Sequence, residues 1–463
     1  MLKEFDQDTI TAISTPLGEG GIGVIRLSGP ESIAVADKIF RSTKKTLVKD
    51  QESFSVQYGH IVSQDGQKVD EVLLLLMRAP KSYTCEDVIE ISAHGGSAVL
   101  KSILDLAVQN GARLAARGEF TKRAFLNGRI DLLQAEAVLD LVKAKTEMGR
   151  KWAVAQLEGV LSEKMKSLKN ALVDILSHLE ASIDFPEDLI DAKPLAAIQK
   201  RLKVLEKDVE ELLAKSSLGF IAKNGIKIVI AGRPNVGKSS LMNRLSKTNR
   251  VIVTPYAGTT RDAVEEEIQI SGFPVRIVDT AGIQETHHPI EKEGIERSKA
   301  AVAEADLVLY VLDGSQVWAK EDESLFKELE DKRKILVINK SDLPQKIGSE
   351  ELKRIAGKAS CILTSCIKDG GVDLLEHEIF RSITNGQAQV SEEAVINSVR
   401  QKELLEKTLE NINNAKKACS DGLSPEFVAV DVRLALDHLG SLAGEVVTDD
   451  ILEALFSQFC IGK

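Results

Sequence analysis

Hydrophobic and polar positions along this chain change rhythm three times. From residue 1 to about 120, short apolar runs such as GIGVIRLSG, VLLLLM and DVIEISAHGG are separated by turns carrying Gly and Pro. Apolar, β-branched runs bounded by such turns predict strands, and the mixture predicts an α+β domain. From Asp131 to about Leu218 apolar residues recur at spacings of three and four, as in Leu132, Leu133, Ala137, Val138 and Leu141. That spacing marks one face of a helix, so long helices are expected, interrupted at Pro186 and Pro194. Between Ile226 and about Ile383 the runs IKIVIAG, VRIVDTAG, ADLVLYVLDGS, KILVINKSD and CILTS alternate with helical stretches. Apolar strands alternating with helices predict a parallel, doubly wound sheet buried on both faces. After about residue 390 the helical rhythm returns. An α/β domain is therefore expected to interrupt an all-helical one.

Length agrees with that division. At roughly 150 residues per domain, 463 residues suggest about three. The boundaries read from the rhythm are 1–120, 121–220, 221–384 and 385–463, the second and last being the two parts of the helical domain. A hydrophobic fraction of 43% with 28% charged residues excludes wholesale disorder. The formal net charge of −10 argues against a protein that coats nucleic acid broadly, because neutralising phosphates takes a Lys/Arg surplus. Residues 111–130 are a local exception, with Arg113, Arg117, Lys122, Arg123 and Arg129 against a single Glu119. The cysteines Cys85, Cys361, Cys366, Cys419 and Cys460 form no CxxC pair, which disfavours a disulfide scaffold or zinc site and fits a reducing compartment. No apolar targeting run opens the chain, and Val72–Met77, the longest apolar run, is far short of the ~20 residues a membrane helix needs. A cytoplasmic protein with no membrane association is expected.

Candidate chemistry begins at Gly232-Arg-Pro-Asn-Val-Gly237-Lys238-Ser239, placed after the strand IKIVIA and before the helical SSLMNRLS. This is a phosphate-binding loop in its proper context. Backbone N–H groups at a helix N-terminus surround a β-phosphate, Lys238 neutralises β/γ charge, and the Ser239 hydroxyl binds Mg²⁺. Gly258-Thr259-Thr260-Arg261-Asp262 offers Thr260 as a second Mg²⁺ ligand. Asp279-Thr280-Ala281-Gly282 ends a strand, so Asp279 can hold Mg²⁺ through water and the Gly282 N–H can sense a γ-phosphate. Asn339-Lys340-Ser341-Asp342 ends another. The Asp342 carboxylate can accept from guanine N1–H and N2–H, which adenine does not offer, so the nucleotide is expected to be GTP. Ser365 and Cys366, in Thr364-Ser365-Cys366, are a weaker candidate for the last base-contacting loop. The expected GTP-binding set is Asn235, Val236, Gly237, Lys238, Ser239, Ser240, Thr254, Thr259, Thr260, Asp279, Thr280, Ala281, Gly282, Asn339, Lys340, Asp342, Ser365 and Cys366.

Hydrolysis poses a problem. Many GTPases place a Gln just after the DxxG motif to orient the attacking water. Here that position is Ile283, and Gln284 is one residue out of register. Some other group must order the water, and the nearby polar residues are Glu285, His287, His288, Glu291 and Glu293. Adjacent histidines in a loop are more often solvated than catalytic.

Together the G motifs, the opening TPLGEGGIGVIRLSG, the segment FLNGRIDLLQAEAV and the terminal Cys460-Ile-Gly-Lys463 resemble the tRNA-modification GTPase family MnmE (TrmE), along the whole chain. The resemblance implies an N-terminal α+β tetrahydrofolate-binding and dimerisation domain, a discontinuous helical domain, and an inserted Ras-like P-loop GTPase domain. It implies a homodimer whose G domains pair when K⁺ and GTP are present. The matching K⁺ ligands are Asn235, Thr254, Thr259 and the Tyr256 backbone, and the family's water-orienting Glu falls on Glu291, acting beside Lys238. The family's folate site maps onto Arg26, Glu86, Arg129 and Lys463, for a 5-formyl- or 5,10-methylene-tetrahydrofolate. Read from the residues alone, Arg26 and Arg129 equally suit ordinary surface charges. Cys460 is a further candidate, although a lone near-terminal Cys is usually inert. By the same resemblance, a flavoprotein partner, MnmG (GidA), forms a heterotetramer with the dimer. The pair adds an aminomethyl or carboxymethylaminomethyl group at C5 of the wobble uridine of certain tRNAs.

Departures from the family pattern are Cys85, where Gly is usual, Cys366, where Ala is common, and Gln284, where Arg is frequent. Two rival readings stand beside this one. An RNA-binding ribosome-assembly GTPase would need a basic C-terminal part, yet residues 391–463 hold 13 Asp/Glu against 7 Lys/Arg. A folate-dependent aminomethyltransferase or binding module with a passive GTPase switch is the other.

Overall fold

The structure is a computed structural model that describes residues 8–184, 194–249, 265–279, 300–357, 359–368, 370–384, 386 and 395–463. The chain forms two compact units, one of residues 1–139, 156–190 and 424–463, the other of 140–155 and 191–423.

In the first unit, β1 (Ile10–Ile13), β2 (Gly23–Ser28), β3 (Phe40–Ser42), β4 (Ser55–Val62), β5 (Lys68–Met77), β6 (Val88–Ala93) and β7 (Arg113–Leu114) make one sheet in the order β3-β4-β5-β6-β2-β1-β7. All neighbours are antiparallel except β1 and β7. Helices α1 (Ser32–Ile39) and α2 (Ser97–Gln109) close one face, where Leu27, Leu74 and Ile91 pack with Val35 and Ile103. The run VLLLLM is β5, and it alternates: Val72, Leu74 and Leu76 are buried while Leu73 is 48% exposed. Tyr58 pairs with Leu73 across β4 and β5, and Val56 and Tyr58 are likewise exposed, so an apolar strip marks the outer face.

Helix α3 (Glu119–Leu126) buries Phe120 against Ile10 and Ala12. Next along the chain come α4 (Leu132–Lys143), α5 (Glu147–Leu157), most of which belongs to the second unit, and the 25-residue α6 (Val160–Asp184). Leu168, Leu172, Ile175 and Leu179 form the buried stripe of α6 at helical spacing, and α6 packs along a late helix, Pro425–Ala443.

The second unit contains α7 (Pro194–Asn224), which starts on Pro194, where a missing N–H leaves no bond unmade. Pro186 lies outside the described residues. Helix α7 runs through Gly225 into a six-stranded sheet of β8 (Ile226–Ala231), β9 (Glu265–Ile270), β10 (Phe273–Asp279), β11 (Leu307–Asp313), β12 (Lys334–Asn339) and β13 (Ser360–Leu363). The order is β13-β12-β11-β8-β10-β9, all parallel save the antiparallel edge β9. Helices α8 (Lys238–Thr248), α9 (Lys320–Lys327), α10 (Ser349–Ala356) and α11 (Val372–Ile383) flank it, and α12 (Val399–Ser420) packs on α7. The Pro425–Ala443 helix, α13, and α14 (Asp449–Phe456) after it belong to the first unit, where Leu452 and Phe456 cluster with Ala124 and Leu132.

The boundaries drawn at 120 and 220 fall inside α3 and α7. Among the described residues no helix is long and apolar enough to cross a membrane. Because β8, β10, β11 and β12 are parallel, their C-terminal ends share one edge, which is where open α/β sheets bind ligands. Polar residues end three of them: Asp279, Asp313 and Asn339.

Candidate functional site

The loop Gly232–Gly237 leaves β8 and enters α8 at Lys238. Gly237 has φ +100°, and a Cβ there would lie 2.2 Å from Asn339 Nδ2, so only glycine lets that side chain cross the loop. Asn235 has φ +64°, a conformation Asn tolerates better than most residues. The buried Lys238 ammonium donates to the Gly232 and Arg233 carbonyls, each at 2.8 Å. Ser239 Oγ donates to Asp279 Oδ2 at 2.7 Å. Two of the three expected Mg²⁺-holding side chains therefore meet, offering the hydroxyl and carboxylate oxygens a hard cation prefers. Val236 is buried, whereas Ser240 is exposed on the first turn of α8.

Around the expected base pocket, Asn339 Nδ2 donates to Val236 O at 2.9 Å, and Cys366 Sγ lies 3.4 Å from Asn339 Oδ1. Lys340 Nζ donates to Asn235 O (3.0 Å) and to Asp313 Oδ2 (2.7 Å). Ser365 Oγ donates to Asp342 Oδ1 at 2.7 Å, and this bond holds the Asp342 carboxyl below its ordinary range. An ionised acceptor is what guanine N–H recognition requires. Burial pushes the Cys366 thiol up, which makes it a poor nucleophile.

The structure thus brings Asn235, Val236, Gly237, Lys238, Ser239, Asp279, Asn339, Lys340, Asp342, Ser365 and Cys366 to one sheet edge. Thr254, Tyr256, Thr259, Thr260, Thr280, Ala281, Gly282 and Glu291, with Ile283, Gln284, Glu285, His287, His288 and Glu293, lie outside the described residues. Two features escaped sequence reading. Asp313 ends the run ADLVLYVLDGS, a visible signal without an evident role. Arg233, an interior loop position, donates through Nε to the fully buried Asp322 at 2.7 Å, and Asp322 also accepts the Ala319 N–H at the start of α9.

In the first unit, Arg26 on β2 donates to Glu90 Oε1 through Nε at 2.8 Å and to Gly462 O through Nη1 at 3.2 Å. Its guanidinium carbon lies 5.5 Å from the Phe120 ring and 5.9 Å from that of Tyr83. Arg129 lies 4.9 Å from the same Tyr83 ring and donates to the Tyr83 carbonyl. Both arginines thus gather on one aromatic side chain, with Arg129 itself exposed. Glu86 accepts from Ser28 Oγ at 2.6 Å and from Arg123 Nη1 at 3.2 Å.

The C-terminal tetrapeptide reaches this region. Ile461 bridges Arg117 in an isolated β-pair, the Gly118 N–H points at Cys460 O, and Lys463 is half-buried. Cys460 is exposed. Cys85 has φ +61°, the left-handed region that favours glycine, which is a physical reason for Gly to be usual there.

Two of the five basic residues at 111–130 are tied to acids of the same unit. Arg113 pairs with Asp8 and Glu119, and the buried Arg123 pairs with Asp8, Glu86 and Glu119. Asp8 and Glu86 are distant in sequence, so the window taken alone overstated the free positive charge.

Known proteins resemble this chain in sequence along almost its whole length. A family model described as the MnmE helical domain matches residues 132–460, and one described as the GTP-binding protein TrmE N-terminus matches 9–129. The tRNA modification GTPase MnmE of Thermoanaerobacter pseudethanolicus is 43% identical over 98% of this chain and 99% of its own. That of Lysinibacillus sphaericus is 44% identical over 98% of this chain and 99% of its own. The G domain of the T. maritima FeoB iron transporter is 28% identical, covering 34% of this chain and 98% of that one with a TM-score of 0.27. The chain belongs to the MnmE family of tRNA modification GTPases, enzymes that hydrolyse GTP in the course of tRNA modification.

Proposed function

We propose that this enzyme is a K⁺-stimulated, homodimeric GTPase that works with the flavoprotein MnmG on C5 of the wobble uridine of certain tRNAs, using a one-carbon unit from tetrahydrofolate. The observation that carries the nucleotide half is the meeting of Ser239 with Asp279 beside a base loop in which Ser365 keeps Asp342 ionised.

In this reading Lys238 leaves the Gly232 and Arg233 carbonyls for the β/γ-phosphates. Ser239, Thr260 and, through water, Asp279 hold Mg²⁺, whose charge offsets that of the phosphates when bound. Asn235, Thr254, Thr259 and the Tyr256 backbone would hold K⁺, which would supply the positive charge that an arginine finger supplies elsewhere. Glu291 orients the water that Ile283 cannot. Asn339, Lys340 and Asp342 bind the base with Ser365 and Cys366.

The folate half rests on the donor set of the first unit. A folate tail is anionic and suits Arg26, Arg129 and Lys463, and the Glu86 carboxylate suits the N–H edge of a pterin. The exposed strip of Phe54, Val56, Tyr58 and Leu73 supports self-association through the N-terminal sheet. The domains would be a folate domain, a helical domain in two parts, and the GTPase domain between them.

The test is nucleoside analysis of tRNA from cells lacking this gene. Hypomodified wobble uridine, restored by the intact gene but not by a Glu291→Ala copy, is the expected result. Fully modified wobble uridine in the deletion strain overturns the reading, and restoration by the Glu291→Ala copy makes the GTPase a passive switch.

A further inference from the structure

The last residue of β11, Asp313, belongs to none of the motifs that define the nucleotide site, yet its carboxylate accepts four hydrogen bonds at that sheet edge. It is 3% exposed. Oδ1 accepts the Ser315 N–H at 3.0 Å and the Ser315 hydroxyl at 2.6 Å, while Oδ2 accepts Lys340 Nζ at 2.7 Å and Gln316 Nε2 at 3.2 Å. The next residue ties the same two loops together. Gly314 N–H donates to Asn339 O at 2.9 Å, and Lys346 N–H donates to Gly314 O at 2.8 Å. Strands β11 and β12 are parallel neighbours with Asp313 opposite Asn339, so both loops leave the sheet at one level.

Lys340 is thereby held at both ends. Its backbone, at φ +60°, is fixed in the turn that follows β12, and its ammonium is shared between Asp313 and the Asn235 carbonyl of the phosphate loop. The four-carbon stem must then run from the base loop toward the phosphate loop. A stem pinned in that way offers a flat hydrocarbon surface to a purine face. It has already lost the rotamer freedom that a flexible lysine would lose only on binding.

We infer that Asp313 is a positioning residue of the guanine-nucleotide site, holding the Lys340 ammonium so that its side chain is preorganised across the base pocket. The ionic character of the contact is secured by its surroundings. Burial works to raise the Asp313 carboxyl, but the hydrogen bonds from Lys340 and Ser315 outweigh it and keep the group below its usual range. The inference depends on nucleotide binding alone, not on folate, K⁺ or the flavoprotein, so its failure would leave those proposals where they stand.

Release of a fluorescent GDP analogue from the full-length protein, followed by stopped flow at fixed salt, tests it. Asp313→Asn is isosteric and keeps the oxygen that Ser315 bonds, but withdraws the charge from Lys340. Losing one charge-assisted bond predicts release faster by about tenfold. Lys340→Met should act similarly. The double variant should be no faster than the faster single one, because both remove the same interaction. Asp313→Glu, which keeps the charge but displaces it, should recover part of the loss and provides a second reading should the Asn variant fold poorly. Ser315→Ala, which removes a different partner of Asp313, should change release by less than about twofold. Unchanged release from Asp313→Asn overturns the inference. So do effects of Asp313→Asn and Lys340→Met that multiply in the double variant, since a merely structural Asp313 would act independently of Lys340.

Discussion

Replacing Gly462 by Ala tests whether the C-terminal tail is a docked element of the first unit. Gly462 has φ +90°, and a Cβ there would meet Ile13 O at 2.4 Å and Ser14 Cα at 2.9 Å. Both obstacles are backbone, so no side chain can swing aside. The left-handed conformation alone costs an L-residue about 1–2 kcal/mol. Moving the tail away also breaks the bond from Arg26 Nη1 to Gly462 O, which at 3.2 Å belongs at the weak end of charged hydrogen bonds, about 1.5 kcal/mol. Together these shift docking by about 3 kcal/mol, or ~10²-fold in the docked-to-free ratio. Carboxypeptidase release of Lys463 reads that ratio, because cleavage follows the open population when opening is fast. Release about a hundredfold faster is expected for Gly462→Ala, against little change for Ile461→Ala, whose side chain is exposed. A rate for Gly462→Ala within threefold of wild type would refute the reasoning.

Three further outcomes follow from particular residues. Cys85→Gly removes the left-handed cost but returns some chain entropy, for a net gain of about 0.5–1 kcal/mol in urea unfolding; a loss would mean the thiol packs more than its backbone suffers. Glu291→Ala should leave GTP affinity nearly unchanged and lower kcat by about 10²-fold, with an unaltered kcat excluding it as the water-orienting group. Acid should destabilise the first unit. Burial tends to raise the carboxyls of Asp8 and Glu119, but Arg113 and Arg123 hold both below their ordinary 3.8 and 4.5. Their stabilisation is therefore complete above those values and is lost as pH falls through the lower folded-state values. Arg113→Gln should shrink the difference in unfolding free energy between neutral pH and about pH 3.5, whereas an equal difference would show that these pairs contribute nothing.

Much of the sheet architecture was written in local pattern. The runs IKIVIAG, VRIVDTAG, ADLVLYVLDGS and KILVINKSD became β8, β10, β11 and β12, because strands buried on both faces read as near-continuous apolar runs. Edge strand β9 was not visible: EEEIQI carries three acids, which only an edge position tolerates, and its pairing depends on the two-residue turn Ser271–Gly272. At the nucleotide edge, residue types were legible but contacts were not. Asp313 could be read as a strand end, yet its hold on Lys340 arises only from the parallel register of β11 and β12. Arg233 occupied a position where any residue fits the loop motif, and its partner Asp322 lies 89 residues away.

Charge was the property that local reading distorted most. Residues 111–130 looked like a basic patch on a chain of net charge −10, but folding delivers Asp8 and Glu86 to Arg113 and Arg123. A buried guanidinium must be neutralised by its neighbours, so Arg123, the most enclosed of the five, necessarily ends as an internal tie. What remains for an anion is set by exposure rather than by sequence density. Arg129 stands exposed beside Tyr83, and Arg26, shared between Glu90 and the Gly462 carbonyl, lies close to the same ring. An anionic ligand arriving there would compete with Glu90 for Arg26, and Gly462→Ala would take away one of the partners that orient that guanidinium. The tail and the arginine are thus one structural problem, which is why perturbing a single terminal glycine should be felt on β2.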